Sequence, residues 1–99
     1  MATVNRLTRD AAQQLGIRAI EYLAGEPERL GRFLALSGLT PQTIRAAARD
    51  PRFFAGVLDH IMGDDRLLTA FAAEVQVPPE EVARAHALLA GVPWERDTA

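Results

Sequence analysis

Residues 25–45, GEPERLGRFLALSGLTPQTIR, have the pattern of two helices joined by a tight turn. Glu26 and Glu28 place negative charge in the first turn of a helix, where the partly positive N-terminus stabilises it, and Pro27 presets the backbone there. Apolar side chains then recur three or four residues apart, so they share one face of the helix: Leu30, Phe33 and Leu34. The pattern predicts a helix that packs one face against a core.

The turn after this helix is predicted from its glycine, threonine and proline. Gly38 can take a positive φ and end the helix in a left-handed cap. Thr40 can accept a backbone N–H at the start of the next helix, and Pro41 fits the first helical position. Ile44 continues the apolar stripe. A further helix is therefore predicted to begin at about residue 41.

The same spacing matches a DNA-binding helix-turn-helix. That motif has a glycine in the turn, an apolar residue after it and a branched apolar residue in the second helix, and Gly38, Leu39 and Ile44 stand at these places. The second helix would offer polar and cationic side chains to DNA: Gln42, Thr43, Arg45 and Arg49. Helical corners of this shape are also common in proteins that do not bind DNA. Nucleic-acid binding through residues 25–49 is therefore an alternative function.

Length and composition indicate one globular domain. The chain has 99 residues, of which 48% are hydrophobic and 6% aromatic, as in ordinary globular proteins. The absence of cysteine excludes a disulfide framework, a thiolate metal site and a cysteine nucleophile. No apolar run reaches the length that a membrane span requires. We expect a soluble protein of a reducing cytoplasm.

The net charge of −2 is divided unevenly along the chain. Residues 1–52 hold eight arginines against five acidic residues, a net charge of +3, whereas residues 53–99 hold three arginines against eight, a net charge of −5. A basic half can face an anionic partner or the acidic half of a second copy. The alternative is that both halves are simply solvated surfaces.

Capping residues predict the remaining helices. Thr8 is expected to cap a long first helix that runs to about Ala24. Gly16 inside this helix costs about 1 kcal/mol relative to alanine, so it predicts a close helix crossing. Asp50 and Pro51 predict the start of a fourth helix, because aspartate caps helices and proline fits their first turn.

The end of the chain predicts two more helices and a tail. Asp64 is expected to cap a fifth helix and Pro79 to begin a sixth, which Gly91 ends. Trp94 is expected to pack back onto the bundle. The predicted organisation is a disordered N-terminus, a single helical domain and a C-terminal tail, at residues 1–7, 8–91 and 92–99.

An offset of 38 residues aligns the chain with itself. The aligned pairs include Gly25 with Gly63, Leu30 with Leu68, Phe33 with Phe71, Glu26 with Asp64 and Pro41 with Pro79. Two similar three-helix units would explain these pairs, although a sequence rich in alanine and leucine also produces chance matches. In the second unit Glu80 and Glu81 stand where DNA would lie, and their charge repels phosphate.

The polar residues do not form a catalytic or metal-binding motif. Four side chains near the end of the fourth helix carry atoms that metals bind: Asp59, His60, Asp64 and Asp65. Gly63 interrupts that helix and no second ligand cluster exists, so no metal is expected. His60 is expected at the carboxyl end of the helix, where a positive charge is favourable. His86 and Ser37 lie in no nucleophile motif, so we expect neither catalysis nor a cofactor.

Three later segments follow residues 25–45 in a recognisable order: FAGVLD at 54–59, LLTAFAA at 67–73 and PEEVA at 79–83. With these segments, about residues 12–89 resemble the bacterial domain-of-unknown-function family 3572. The resemblance implies a small, all-helical alphaproteobacterial protein of the cytoplasm. It also implies a signalling regulator, such as a two-component response regulator, as a candidate partner. It supplies no activity, cofactor or site residue.

The sequence as a whole favours an all-α protein, a compact orthogonal bundle of five to six short helices. The function that it favours is a non-catalytic helical module that binds another protein, with self-association as a further possibility and no membrane partner. Four arginines near the first turn are the predicted rim for an acidic partner: Arg29, Arg32, Arg45 and Arg49.

Overall fold

A computed structural model describes residues 7–50 and 52–90, which form six helices and no strand. The helices are α1 (Arg9–Ala24), α2 (Pro27–Ser37), α3 (Ile44–Ala47), α4 (Phe53–Met62), α5 (Asp65–Val75) and α6 (Pro79–Leu89). The Cα radius of gyration is 13.9 Å, close to the value of about 13 Å for a compact domain of about 100 residues. The predicted all-α bundle is confirmed for the described part of the chain.

Helix α1 begins and ends where the sequence predicts. The Thr8 hydroxyl accepts the N–H of Ala11 at 3.0 Å, and the Gly25 N–H donates to the carbonyl of Glu21 at 3.0 Å. Apolar side chains at helical spacing face the core, with Ile20 half-buried and the others buried: Ala12, Leu15, Ala19 and Leu23. Local capping and apolar spacing are therefore sufficient to define this helix.

The left-handed cap after α2 is also confirmed. Gly38 has φ of 76°, and its N–H donates to the Leu34 carbonyl at 3.0 Å. The Leu39 N–H donates to the same carbonyl at 3.1 Å, so the chain folds back over the last turn of α2.

Helix α3 is shorter than predicted, because residues 41–43 form turns and the regular helix begins at Ile44. The Thr40 hydroxyl accepts the N–H of Thr43 at 3.1 Å, and the Thr43 hydroxyl accepts the N–H of Thr40 at 2.9 Å. These reciprocal bonds close a turn. No α3 residue is fully buried, and only the half-buried Ile44 packs against the core. So small a packed face has little to extend the helix.

The starts of α4 and α5 differ from each other. Asp50 accepts the N–H of Arg52 at 2.9 Å, but α4 begins only at Phe53, so Asp50 caps a preceding turn. Asp64 caps α5 as predicted, because its carboxylate accepts the N–H groups of Arg66 and Leu67. The predictions for residues 1–6, Pro51 and residues 91–99, including those for Gly91 and Trp94, lie outside the described residues.

The core lies where α6 packs on both α1 and α4, which also cross each other. Its buried side chains come from five helices, α1, α2, α4, α5 and α6, and the largest that are fully buried are Phe71, Leu23, Leu58, Ile61, Val57 and Val82. Gly16 confirms the predicted close crossing, because a Cβ added there would lie 2.6 Å from the Phe54 Cβ.

The helix bounds repeat at the offset of 38 residues that the sequence shows. Pro27–Ser37 and Asp65–Val75 correspond residue for residue, and α1 and α4 end at the corresponding Ala24 and Met62. Gly38 and Gln76, the residues with positive φ in the described ranges, are also 38 apart. The third helices differ, since α6 has three buried apolar residues whereas α3 has none and packs only the half-buried Ile44 against the core.

Side-chain contacts repeat with the same offset. The Tyr22 and Phe71 rings lie 5.6 Å apart. In the repeat Tyr22 aligns with His60, and Phe71 aligns with Phe33. The His60 and Phe33 rings lie 5.1 Å apart. Gly16 and its counterpart Phe54 contact each other. An approximate two-fold relation between the halves, with its axis near this contact, accounts for all three contacts.

Candidate functional site

Arg29, one of the four predicted partner-binding arginines, is bound within the protein. Its guanidinium lies 4.1 Å from the centroid of the Tyr22 ring, and Nη2 and Nε donate to the Tyr22 carbonyl at 2.7 and 3.2 Å. Nη1 lies 3.2 Å from the Glu26 carboxylate. The side chain therefore closes the carboxyl end of α1. These contacts hold the guanidinium within the protein, and the role of Arg29 in partner binding stays a prediction.

The other three arginines are exposed, and only one of them lines the main groove of the molecule. Arg32 lies on α2, Arg45 on α3, and Arg49 follows α3. Arg32 lines the groove described next, whereas Arg45 and Arg49 do not. The helix that would read DNA is α3, and its single turn ends before Arg49. The structure therefore does not form a recognition helix of the predicted length.

An open groove of about 550 Å³ separates α2 from the α4–α5 corner. We name it the His60 groove and define it by Arg32, Leu36, Asp59, His60, Asp64 and Leu67. Leu36 is 70% exposed, and it is the one large apolar side chain that is exposed in the described part of the chain. Two smaller cavities of about 230 and 200 Å³ adjoin it and are also lined by His60.

His60 is half-buried in this groove and packs edge-on against Phe33. Burial lowers its pKa, the charge of Arg32 lowers it further, and Asp64 and Asp59 oppose the shift. The imidazole is therefore neutral at pH 7. Its position in the last turn of α4 is as predicted, whereas the lowered pKa disfavours the positive charge expected there.

Asp59 lies between the two histidines of the chain. Its carboxylate is 3.6 Å from Nε2 of His86, and it also lines the His60 groove. In the described ranges no group of three or more His, Cys, Asp or Glu side chains is arranged to hold a metal ion. The four candidate ligands of the sequence, Asp59, His60, Asp64 and Asp65, are therefore neighbours without a common centre.

The two halves also differ at this groove. Tyr22 of the first half corresponds to His60 of the second, and Arg29, which covers Tyr22, corresponds to Leu67. A small cleft of about 210 Å³ beside Tyr22 is lined by charged residues: Arg18, Glu21 and Glu74. At the His60 side, Gly56 stands in place of Arg18 and Leu36 in place of Glu74. The cleft beside Tyr22 and the corresponding cavity beside His60 are therefore similar in volume, about 210 and 230 Å³, but the second is more apolar.

Comparison with known proteins identifies the family. A family model described as "Protein of unknown function (DUF3572)" matches residues 9–92. The chain belongs to the DUF3572 family. The match covers all six helices, and it confirms the resemblance that the sequence shows. No curated protein and no solved structure matches the chain.

Two features of this DUF3572 protein bear on its function. None of the described helices is long and apolar enough to cross a membrane. The His60 groove was missed by the sequence predictions, which concentrated on the arginines. The offset of 38 residues contains a signal that identifies it, because exposed Leu36 aligns with Glu74 and Leu67 aligns with Arg29.

Proposed function

We propose that this DUF3572 protein is a non-catalytic helical module that binds another protein through the His60 groove. The observation that supports the proposal is Leu36, 70% exposed at the edge of an open groove. Single exposed apolar residues are common on protein surfaces. Leu36 differs because half-buried Leu67 and the Phe33 ring continue its apolar surface into the groove.

The partner that fits is a protein segment with an apolar side chain and flanking charge. Covering the exposed part of Leu36 contributes about 1–2 kcal/mol to binding. Arg32 lies on the α2 wall, and Asp59 and Asp64 lie on the opposite wall. Opposed charges on two walls favour one orientation of a bound segment. A reducing cytoplasm, consistent with the lack of cysteine, is the compartment that we propose.

The test begins with a photo-reactive residue in place of Leu36, and in place of exposed Gln13 as a control, in the native host. A protein that is cross-linked from position 36 and not from position 13 is then purified. Its dissociation constant is measured by calorimetry for the wild type, Leu36→Glu and the matched control Gln13→Glu. Both variants add one negative charge, and glutamate is tolerated at the position of Leu36 because Glu74 occupies the corresponding site.

The proposal predicts that Leu36→Glu weakens binding at least about tenfold, a loss of about 1.4 kcal/mol, and that Gln13→Glu changes it less than twofold. Equal affinities for the wild type and Leu36→Glu, with both proteins folded by circular dichroism, would contradict the proposal.

A further inference from the structure

The first half of the molecule shows how the end of a helix in this fold is filled. The Arg29 guanidinium stacks on the Tyr22 ring, donates two hydrogen bonds to the Tyr22 carbonyl and pairs with Glu26. A Cβ added to Gly25 would lie 3.5 Å from Nη2 of Arg29. Aromatic face, carbonyl, carboxylate and glycine together form a close-fitting site for one planar cation.

The second half has the same parts without the arginine. His60, Gly63 and Asp64 stand where Tyr22, Gly25 and Glu26 stand in the first half, and Leu67 replaces Arg29. A Cβ added to Gly63 would have within 4 Å the carbonyl oxygens of His60 and Asp59 and no side chain. The His60 carbonyl accepts a bond of 3.3 Å from the Gly63 N–H, and it receives no guanidinium. This end of α4 is therefore open to the groove.

The charges around this end favour a cation. Asp59, Asp64 and Asp65 line the α4–α5 side of the groove. On the α2 side, Arg32 and Arg29 are accompanied by Glu26 and Glu28 in the adjoining cavity, so the carboxylates outnumber the arginines. Asp65 is exposed and forms no ion pair within the described residues. Arg29 already pairs with Glu26, so it does not neutralise the three carboxylates. Burial keeps the imidazole neutral by lowering the pKa of His60, which lets a cation lie against it.

We infer that the His60 groove binds an arginine side chain of the partner protein, in the place that corresponds to Arg29. The inference rests on the proposed function. The incoming guanidinium lies on the His60 ring, donates to the His60 carbonyl and pairs with Asp64. Leu36 then contacts an apolar residue next to that arginine in the partner. Arginine fits better than lysine because a planar fork can stack and donate two bonds at once, whereas an ammonium is a compact point charge.

The probe that tests the inference is N-acetyl-arginine amide, with N-acetyl-lysine amide as its control, titrated into the isotope-labelled protein and followed by amide chemical shifts. The inference predicts saturable shifts at His60, Gly63 and Leu67 with millimolar affinity, and at least about fivefold weaker binding of the lysine probe. Equal responses to the two probes, or no saturable response to the arginine probe, would overturn it.

Leu67→Arg restores in the second half the residue that closes the first half. The new side chain should occupy the site itself and lower the affinity for the arginine probe at least about tenfold. Thr69→Arg adds the same charge at an exposed position that does not line the groove, and it should change the affinity less than twofold. Unchanged probe binding in folded Leu67→Arg would overturn the inference. If Leu67→Arg does not fold, Asp65→Asn replaces it, with an expected loss of about twofold and an unchanged affinity as the contrary result.

Failure of the inference can be distinguished from failure of the proposed function. Each arginine of the purified partner is replaced in turn by glutamine. A partner whose binding depends on Leu36 but on none of its own arginines leaves the interaction function standing and overturns the arginine assignment. In the other outcome, the partner has one arginine whose replacement weakens binding to the wild type but does not weaken binding to Leu67→Arg any further. That result supports both the interaction function and the arginine assignment.

Discussion

Gly16→Ala is predicted to destabilise the protein by forcing α1 and α4 apart. The added Cβ would lie 2.6 Å from the Phe54 Cβ and 3.1 Å from its Cγ, whereas carbon atoms in good contact are about 3.5–4.0 Å apart. The nearest atom is a Cβ fixed to the α4 backbone, so a change of rotamer cannot relieve the clash. The helices must separate by about 1 Å.

The magnitude is the difference between two opposed terms. Overpacking a core costs about 1–3 kcal/mol, and replacing a helical glycine with alanine returns up to about 1 kcal/mol. A net loss of about 1–2 kcal/mol follows, which lowers the melting temperature by about 5–15 °C in a domain of this size.

The assay is urea and thermal unfolding followed by circular dichroism, with Gly31→Ala as the matched control. Gly31 lies inside α2, and nothing lies within 4 Å of an added Cβ. The control should therefore gain about 0.5–1 kcal/mol from helix propensity alone. The close crossing of α1 and α4 would be refuted if Gly16→Ala were as stable as the wild type while Gly31→Ala gained stability.

Three further predictions concern the ends of the helices. Arg29→Gln should lower the free energy of unfolding by about 1–2 kcal/mol, because it loses the stacking on Tyr22 and two hydrogen bonds. The control Arg84→Gln loses one exposed pair with Glu81. In the same urea titration it should lower the free energy of unfolding by less than about 0.5 kcal/mol. The pKa of His60 is lowered on folding, so the unfolded chain binds the proton more tightly. The contribution of His60 to stability is complete above the unfolded pKa of about 6.5 and is lost as the pH falls below that value. Urea titrations at several pH values should show the free energy of unfolding decreasing in this range, with a smaller decrease in His60→Gln. An equal decrease in the variant would contradict the assignment. Gln76→Gly should raise the free energy of unfolding by up to about 1 kcal/mol, because Gln76 has φ of 61°. In the same thermal unfolding assay, Gly38→Ala should lower it by a similar amount. A loss of stability in Gln76→Gly would argue against the left-handed cap.

The local signals of the sequence predicted most of the fold. Thr8, Gly38 and Asp64 act through hydrogen bonds to residues within four positions, so their capping is visible in the sequence itself. The buried stripes of α1, α5 and α6 follow from helical periodicity for the same reason. Gly16 predicted the crossing because a glycine inside a helix needs a compensating contact.

The length of α3 could not be predicted locally. Thr40 and Pro41 mark the start of a helix as clearly as Pro79 does in α6. The difference is tertiary, because α6 buries Val82, Ala85 and Leu89, whereas α3 packs only the half-buried Ile44 against the core. Propensity with so small a packed face yields one turn of helix.

The candidate site could be predicted only in part. An arginine in the sequence is either a free cation or an internal partner, and Arg29 is the latter because Tyr22, seven residues earlier, comes back beneath it. The groove is open because the second half has no counterpart of the Arg29 side chain. In the sequence, only the alignment of Arg29 with Leu67 indicates this difference. The repeat therefore predicts more about the site than the charge pattern does.

The most direct test of the groove is the binding footprint of the purified partner, measured from amide chemical shifts of this protein. Tyr22 and Glu74, the counterparts of His60 and Leu36 in the repeat, are an internal control, because they line a separate, charged cleft of the first half. We predict shifts at Leu36, His60, Gly63 and Leu67 and none at Tyr22 and Glu74. A footprint centred on Tyr22, or on Arg45 and Arg49, would contradict the account.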